Sequence, residues 1–254
     1  MKKEVLLFTS GVDSYIVKHY LSYLGHEFDC LYFDHGGRYC NIEKQKIKEL
    51  DFPVIIDDRL RLKEVEDKTA FIPNRNILFT ILANSLGYEK IWIGGSKSDR
   101  VNDNNEKVFL DLSRFLTLMN EKFIKIDSPF WSCYKDDMIR WFLSYRYKDS
   151  SDKLGPIVEL LMKTFSCFTP LFKIEDKIAE VYNQQVKYQS FECLSCPACF
   201  RKCAVLYSGG IFIPFKNRMI VEKYHKEFSD SLVMNPRVSG TLNYTTRWFS
   251  EGIS

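Results

Sequence analysis

The sequence lacks any long apolar run, and it lacks a strong charge of either sign. No apolar run approaches the length of a membrane-spanning helix, so we expect no transmembrane helix and no membrane partner. The net charge of +3 is too small to indicate direct nucleic-acid binding. The amino terminus has only a short apolar run instead of a signal peptide, which predicts a cytoplasmic protein. At 254 residues, the chain is long enough to bury a sizeable core.

Residues 1–130 alternate short apolar runs with stretches of helical spacing. Five runs are predicted strands, each followed by a polar loop: Glu4–Thr9, Phe28–Asp34, Phe52–Asp57, Lys90–Gly95 and Phe123–Asp127. Predicted helices lie between them at about Asp13–Leu24, Asn41–Leu50 and Pro73–Leu86. This alternation predicts an α/β fold with a doubly wound parallel five-stranded sheet, whose ligands bind at the carboxyl ends of the strands. We expect a nucleotide-binding domain over residues 1–130, a helical zinc-binding lobe over 131–204 and a C-terminal extension over 205–254.

A loop of small polar residues follows the first predicted strand. Residues 9–14 are Thr-Ser-Gly-Val-Asp-Ser, and a helix begins directly after them. Small residues let backbone N–H groups approach an anion, and the start of the helix adds partial positive charge. The loop has neither the G-x-x-x-x-G-K-[ST] nor the G-x-G-x-x-G spacing. It therefore predicts a phosphate-binding loop of another class, with a capped turn as the alternative.

Eight cysteines are present, and four of them crowd into one short segment. Cys193, Cys196 and Cys199 have C-x2-C-x2-C spacing, which can direct three thiolates at one point. Without a secretion signal, this spacing indicates a metal site and not a disulfide framework. Tetrahedral zinc needs a fourth ligand, for which Cys203 and Cys167 are the candidates. Four thiolates leave no open position on the metal, so the predicted zinc is structural.

These motifs together resemble the 7-cyano-7-deazaguanine synthase (QueC) family of the ATP-pyrophosphatase, or PP-loop, superfamily. The loop at residues 9–14 resembles the S-G-G-x-D-S pyrophosphate loop. F-D-H-G-G-R at 33–38, I-P-N-R-N at 72–76 and I-G-G at 93–95 follow in the family's order and approximate spacing. T-F-S-C-F at 164–168 resembles the family's T-W-S-C-Y, although residues 169–192 separate it here from the C-x2-C-x2-C motif, where the family has only a short loop. The resemblance implies a sheet like that of the adenine nucleotide alpha hydrolases.

The resemblance also implies a reaction. It implies an ATP-dependent ligase that adenylates 7-carboxy-7-deazaguanine and converts it with ammonia to 7-cyano-7-deazaguanine (preQ0), as in queuosine biosynthesis. ATP, Mg²⁺ and Zn²⁺ are the implied cofactors, and a homodimer is the implied assembly. Residues 97–106 do not match the family's Y-S-G-Y-P-D-C-R-like segment, so ATP activation is better supported than the acceptor. Two alternatives therefore stay open: a QueC-like enzyme that joins the activated deazaguanine to a protein or other macromolecule, as in antiphage defence, and a tRNA-thiolating PP-loop enzyme.

Site residues are implied in the same way. ATP contacts are expected from Phe8, Thr9, Ser10, Gly11, Val12, Asp13, Ser14, Arg75, Asn76 and Gly94. Substrate contacts are expected from Phe33, His35, Arg38 and Asp99. The expected catalytic residues are Lys135, Asp13 and Arg38. Lys135 would lie near a helix N-terminus, where a cation is unfavourable unless an anion is close. The implied zinc ligands are Cys167, Cys193, Cys196 and Cys199, and Cys203 stays the alternative to Cys167 as the fourth ligand.

Overall fold

The computed structural model describes residues 3–67, 70–99, 104–148, 154–230 and 236–251, with side chains in the last segment described from Gly240 onward. The chain forms two compact units, residues 1–133 and 134–254. Among the described residues, no helix combines the length and the apolar character needed to cross a membrane. Of the segment 97–106 noted above, residues 100–103 lie outside the described part of the chain.

The first unit contains the predicted five-stranded sheet. Its strands are β1 (Glu4–Leu7), β2 (Phe28–Phe33), β3 (Ile55–Asp57), β4 (Lys90–Trp92) and β5 (Lys125–Asp127). All of them pair in parallel, in the order β3-β2-β1-β4-β5, which confirms the doubly wound α/β fold. The helices are α1 (Val12–Tyr23), α2 (Cys40–Lys48), α3 (Arg75–Ser85) and α4 (Glu106–Asn120), and a short 3-10 turn spans Lys63–Val65.

Burial explains why the central strands have continuous apolar sequences. Val5 of β1 lies in register with Ile91 of β4, and both side chains are fully buried. A parallel strand is covered on both faces by helices, so it needs no polar face. Phe79 of α3 and Phe109 of α4 belong to the same core cluster as these strands. Helix α4 was not predicted; the side chain of Asn105 caps it by accepting a hydrogen bond from the backbone N–H of Val108 at 3.0 Å.

The second unit combines helices with a small antiparallel sheet. Its elements are α5 (Lys135–Tyr147), α6 (Gly155–Lys163), β6 (Glu175–Val181), β7 (Gln184–Ser190), α7 (Pro197–Tyr207), β8 (Ile211–Phe212), α8 (Arg218–Ser229) and α9 (Pro236–Ser250). The sheet order is β7-β6-β8. The sequence predicts helices alone before the cysteine motif, so the β6–β7 hairpin corrects that part of the expectation. Its two turn residues, Tyr182 and Asn183, have φ values of 51° and 63°, as a two-residue hairpin turn requires.

Candidate functional site

The loop at residues 9–14 lies at the topological switch point of the parallel sheet. From β1 the chain proceeds to β2 and β3 on one side, and to β4 and β5 on the other. Open α/β sheets bind ligands in the crevice outside this point. Gly11 is the N-cap of α1 and supplies no side-chain cap to the first helical N–H groups. The loop therefore presents a helix start at the position where such folds bind anions.

The Ser14 side chain holds the loop closed. Its Oγ accepts a hydrogen bond from the backbone N–H of Thr9 at 3.3 Å and donates one to the carbonyl of Gly11 at 3.2 Å. Ser10 adopts a left-handed φ of 52° and is fully buried. Its hydroxyl makes no hydrogen bond within the part of the chain that the structure describes. Buried polar groups are normally satisfied, so this hydroxyl is one that a bound ligand could satisfy.

Gly94 follows β4 and lies directly against the start of α1. A Cβ atom at Gly94 would lie 3.2 Å from the Asp13 Cβ and 3.2 Å from the Ser14 backbone nitrogen. Both distances are tighter than ordinary contacts, so this position favours glycine. Asp13 is the second residue of α1 and is half-buried. The structure thus brings together three expected ATP contacts from two adjacent strand ends.

Phe33 and His35, two of the expected substrate contacts, lie at the end of β2. Phe33 is buried and stacks on Phe79 with a ring-centroid distance of 4.9 Å, so its ring is part of the core. His35 is also buried, and its Nδ1 accepts a hydrogen bond from the backbone N–H of Gly37 at 3.2 Å. Burial, reinforced by the positive charge of Arg75, lowers the pKa of His35 from its ordinary value. The imidazole is therefore neutral near neutral pH, with its proton on Nε2.

Arg38, expected in catalysis and substrate binding, is tied to a distant loop. Its Nε donates to Glu66 Oε1 at 2.7 Å, and its backbone N–H donates to Glu66 Oε2 at 3.0 Å. The guanidinium also donates to the carbonyl of Asp67. In this structure, Arg38 connects the end of β2 to the loop around residue 66, and Glu66 compensates its charge. Sequence reasoning missed Glu66, because no local spacing links residues 28 positions apart.

Glu43 is a further acidic group near these residues to which the sequence analysis assigned no role. Its Oε2 accepts a hydrogen bond from the Tyr32 hydroxyl at 2.7 Å. Burial raises the pKa of Glu43, while this hydrogen bond and the positive charge of Arg75 act in the opposite direction. Arg75 is the first residue of α3 and follows Asn74, whose φ is 58°. Arg75 thus interacts electrostatically with both Glu43 and His35, and the end of β2 has acidic and basic groups around it.

Three further expected residues have identifiable local positions. Asp99 closes a turn after β4, where its Oδ2 accepts hydrogen bonds from the backbone N–H of Ser96 at 2.8 Å and from the Ser96 hydroxyl at 3.1 Å. Asn76 lies in the first turn of α3, and its carbonyl accepts a hydrogen bond from Thr80 at 2.7 Å. Lys135 is the first residue of α5 in the second unit, and two aspartates follow it in the same helical turn.

The four cysteines expected to bind zinc converge in the second unit. Their sulphur atoms all lie within 4.8 Å of one another, and all four residues are buried. Cys167 Sγ is 3.6 Å from Cys193 Sγ and 3.9 Å from Cys196 Sγ, while Cys193 Sγ is 3.9 Å from Cys199 Sγ. A tetrahedral zinc ion with Zn–S bonds of about 2.3 Å would hold its sulphurs about 3.8 Å apart. The cluster therefore has the dimensions of a four-thiolate zinc site, and none of the four is in a disulfide.

Backbone N–H groups surround the cluster. Phe168 donates to Cys196 Sγ at 3.3 Å, Ser195 donates to Cys193 Sγ at 3.3 Å, and Cys193 donates to Cys167 Sγ at 3.4 Å. Such donors favour the ionised form of sulphur, which is the metal-binding form. Hydrogen bonds among the four thiols lower the pKa of Cys193 and, chiefly through Cys167, that of Cys196 to about 6, and they raise the pKa of Cys167 and of Cys199.

Cys203, the rival fourth ligand, lies outside the cluster. It is buried on α7, and burial raises the pKa of its thiol. Within the described residues, only Cys167, Cys193, Cys196 and Cys199 bring three or more potential metal-binding groups together. The geometry therefore groups Cys167, and not Cys203, with the C-x2-C-x2-C motif.

The sheet order and the polar loop at its switch point define an α/β protein of the nucleotide-binding kind. None of the curated proteins matches the sequence. One similar solved structure is described as a predicted subunit of tRNA methyltransferase from Methanocaldococcus jannaschii; it shares 19% identity, with 61% of this chain and 93% of that chain covered and a TM-score of 0.37. The queuosine biosynthesis protein QueC family matches residues 54–208, which is more than half of the chain, and the protein belongs to this family. It is accordingly an ATP-using enzyme of the synthase or ligase type.

Proposed function

We propose that the protein activates the carboxylate of 7-carboxy-7-deazaguanine with ATP and converts it with ammonia to 7-cyano-7-deazaguanine. The observation that carries this proposal is the loop at residues 9–14, which lies at the switch point of the sheet. In the described part of the chain, the buried Ser10 hydroxyl of this loop has no hydrogen-bond partner. Membership of the QueC family supports the same reaction. A carboxylate is a poor electrophile, so a phosphate-binding loop suits a reaction that first adenylates it.

The reaction runs in two activations. The substrate carboxylate attacks the α-phosphate of ATP and releases pyrophosphate, and ammonia then displaces AMP to give an amide. The amide oxygen attacks a second ATP, again with release of pyrophosphate, and loss of AMP with two protons leaves the nitrile. The enzyme contributes positioning and charge stabilisation. Backbone N–H groups of residues 10–14 would bind the phosphates together with the Thr9 and Ser10 hydroxyls, while the Ser14 hydroxyl keeps its bond to Gly11. Arg75 and Lys135 would add positive charge.

The metal ions have separate roles in this proposal. Asp13 would hold Mg²⁺ beside the phosphates, because a carboxylate at a phosphate-binding loop is a hard oxygen ligand of the kind Mg²⁺ prefers. Mg²⁺ would supply charge neutralisation. The four-cysteine cluster would hold Zn²⁺ for structure, because its sulphur spacings match tetrahedral coordination.

The test is a product analysis with a matched control. The purified protein is incubated with ATP, Mg²⁺, 7-carboxy-7-deazaguanine and ammonia, and AMP and 7-cyano-7-deazaguanine are measured by mass spectrometry. We expect both products, with activity lost in Asp13→Asn and retained in Asp111→Asn, a change in an exposed aspartate of the same unit. Full activity of the Lys135→Ala variant would show that Lys135 has no catalytic role. The absence of substrate-dependent AMP would overturn the proposal.

A second candidate differs only in the acceptor. The family's segment after the fourth strand is not matched in this chain, and Asp99 there is engaged in closing a local turn. This departure favours a changed acceptor, such as an amine of a protein or other macromolecule, over changed ATP chemistry. AMP formation without 7-cyano-7-deazaguanine in the same assay would select this candidate.

A further inference from the structure

A buried ion pair lies beside the four-cysteine cluster. Lys202 Nζ donates to Glu192 Oε1 at 2.9 Å and to Glu192 Oε2 at 3.1 Å. The two side chains are 3% and 1% exposed, so water solvates neither charge. A buried ion pair seldom adds net stability compared with apolar groups of similar size. Its position therefore calls for another explanation.

The pair connects every segment that carries a cysteine of the cluster. Lys202 also donates to the carbonyl of Thr164 at 3.1 Å, and Glu192 Oε1 accepts the backbone N–H of Ser166 at 2.6 Å. Thr164 and Ser166 lie just before Cys167 in the chain. Glu192 directly precedes Cys193, and Lys202 lies on α7 one turn after Cys199. Four hydrogen bonds thus join the cysteine-bearing segments, although Cys167 and Cys193 are 26 positions apart in the sequence.

We propose that Glu192 and Lys202 are positioning residues for the metal site, which hold the cysteine-bearing segments in place so that the four sulphurs converge before the metal binds. This inference rests on the proposed zinc role of the cluster. Neither side chain is one of the four ligands; each acts through the backbone beside a ligand. Groups outside the ligand shell that orient metal ligands change metal affinity by about 10–100-fold when they are removed.

Two variants separate positioning from stability. Lys202→Met leaves the Glu192 charge buried without its partner, so it is expected to lower stability as well as metal affinity. The double variant Glu192→Gln with Lys202→Met leaves no buried charge, and the glutamine oxygen can still accept the Ser166 N–H. We expect this double variant to fold with only a modest loss of stability, which comes from the unpaired carbonyl of Thr164. It should release metal faster, because the link from α7 to the other segments is gone.

Lys177 provides a matched control in the same unit. Its side chain is also 3% exposed and donates to a carboxylate, that of Glu175 on the same strand, but this pair joins no cysteine-bearing segments. Lys177→Met therefore removes a buried lysine without touching the link between the cysteines. We expect its metal affinity and metal-release rate to stay within about twofold of the unmodified protein.

The experiment measures zinc transfer to a chromogenic chelator and the absorption spectrum of the Co²⁺-loaded protein, on the full chain. We expect about 10–100-fold faster zinc release in the double variant, with a Co²⁺–thiolate spectrum altered relative to that of Lys177→Met. Release at the unmodified rate in the double variant would overturn the positioning role while leaving the zinc site intact. If the unmodified protein bound neither Zn²⁺ nor Co²⁺, the zinc site itself would fail, and the inference with it.

Discussion

Trp248 tests whether residues 205–254 are an extension or an integral part of the second unit. Its indole is 2% exposed, and its Nε1 donates to the carbonyl of Phe215 at 2.8 Å. Tyr244, one helical turn earlier on α9, is fully buried and donates to the carbonyl of Ile213 at 2.7 Å. Phe200 of the cysteine-bearing helix α7 packs edge-on against the Tyr244 ring at 5.7 Å. Helix α9 therefore shares a core with the helix that carries Cys199.

The cost of Trp248→Ala follows from these contacts. Truncating a buried tryptophan to alanine costs about 3–5 kcal/mol in cavity and transfer terms. The Phe215 carbonyl would also lose its buried partner, which adds about 1 kcal/mol. The expected loss of about 4–6 kcal/mol is a large share of the total free energy of unfolding of an ordinary domain, about 5–15 kcal/mol. The adjacent Phe249 is 39% exposed. Its truncation to alanine should cost only about 1 kcal/mol, because much of its ring already contacts water.

Urea unfolding followed by circular dichroism, with zinc release recorded in the same titration, measures both changes. With a urea slope of about 2 kcal/mol per molar, Trp248→Ala should lower the midpoint by about 2–3 M and Phe249→Ala by about 0.5 M. Zinc release should follow the unfolding midpoint of each variant if α9 and the cysteine cluster share one cooperative core. Equal midpoints for the two variants, or zinc release unaffected by Trp248→Ala, would refute this reasoning.

Three further predictions concern the two sites and the end of β2. Cys167→Ser should abolish stoichiometric zinc binding, whereas Cys203→Ser should retain it; elemental analysis that shows the reverse would make Cys203 the fourth ligand. Gly94→Ala should lower ATP-dependent AMP formation by about tenfold and Gly94→Val by more, because a side chain at this position displaces the start of α1. Unchanged kinetics in both variants would show that the close approach of Gly94 to α1 does not matter for the reaction. Because the pKa of His35 is lowered by burial, the unfolded chain takes up a proton below about pH 6.5 that the folded chain resists. Stability should therefore fall as the pH drops through about 6.5, and His35→Gln should remove that part of the slope in urea midpoints measured from about pH 7.5 to 5.

The parallel sheet was predictable because its central strands, β1 and β2, are largely apolar and buried. The β6–β7 hairpin was not, although burial alternates along β6 as in any sheet with one covered face. The reason is that Lys177 occupies a buried position of β6, while Ile178 beside it is 44% exposed. The polarity of Lys177 and Ile178 is therefore the reverse of what their burial in the strand would predict. The hairpin turn at Tyr182 and Asn183 also lacks the glycine that most often marks such turns in a sequence.

The site was predictable where residues act through their local backbone. The loop at residues 9–14 is closed by hydrogen bonds of its own last side chain, Ser14. Its conformation therefore depends mainly on residues within the loop, which a sequence motif can identify. Arg38 is the opposite case. Its partner Glu66 lies 28 residues away in a loop without periodic sequence, and only the folded chain brings the two together. Arg38, which its motif predicts to contact a ligand, therefore also joins two loops of the folded chain.

The segment between Cys167 and Cys193 shows how two cysteines far apart in the sequence can lie side by side. It comprises residues 168–192. Most of it forms β6 and β7, which pair in antiparallel register from Val181 with Gln184 to Glu175 with Ser190. Because a hairpin returns the chain to the place where it departed, the two ends of the segment lie side by side however long the hairpin is. The sulphur atoms of Cys167 and Cys193 therefore lie 3.6 Å apart, and the length of the hairpin between them does not change the geometry of the cluster.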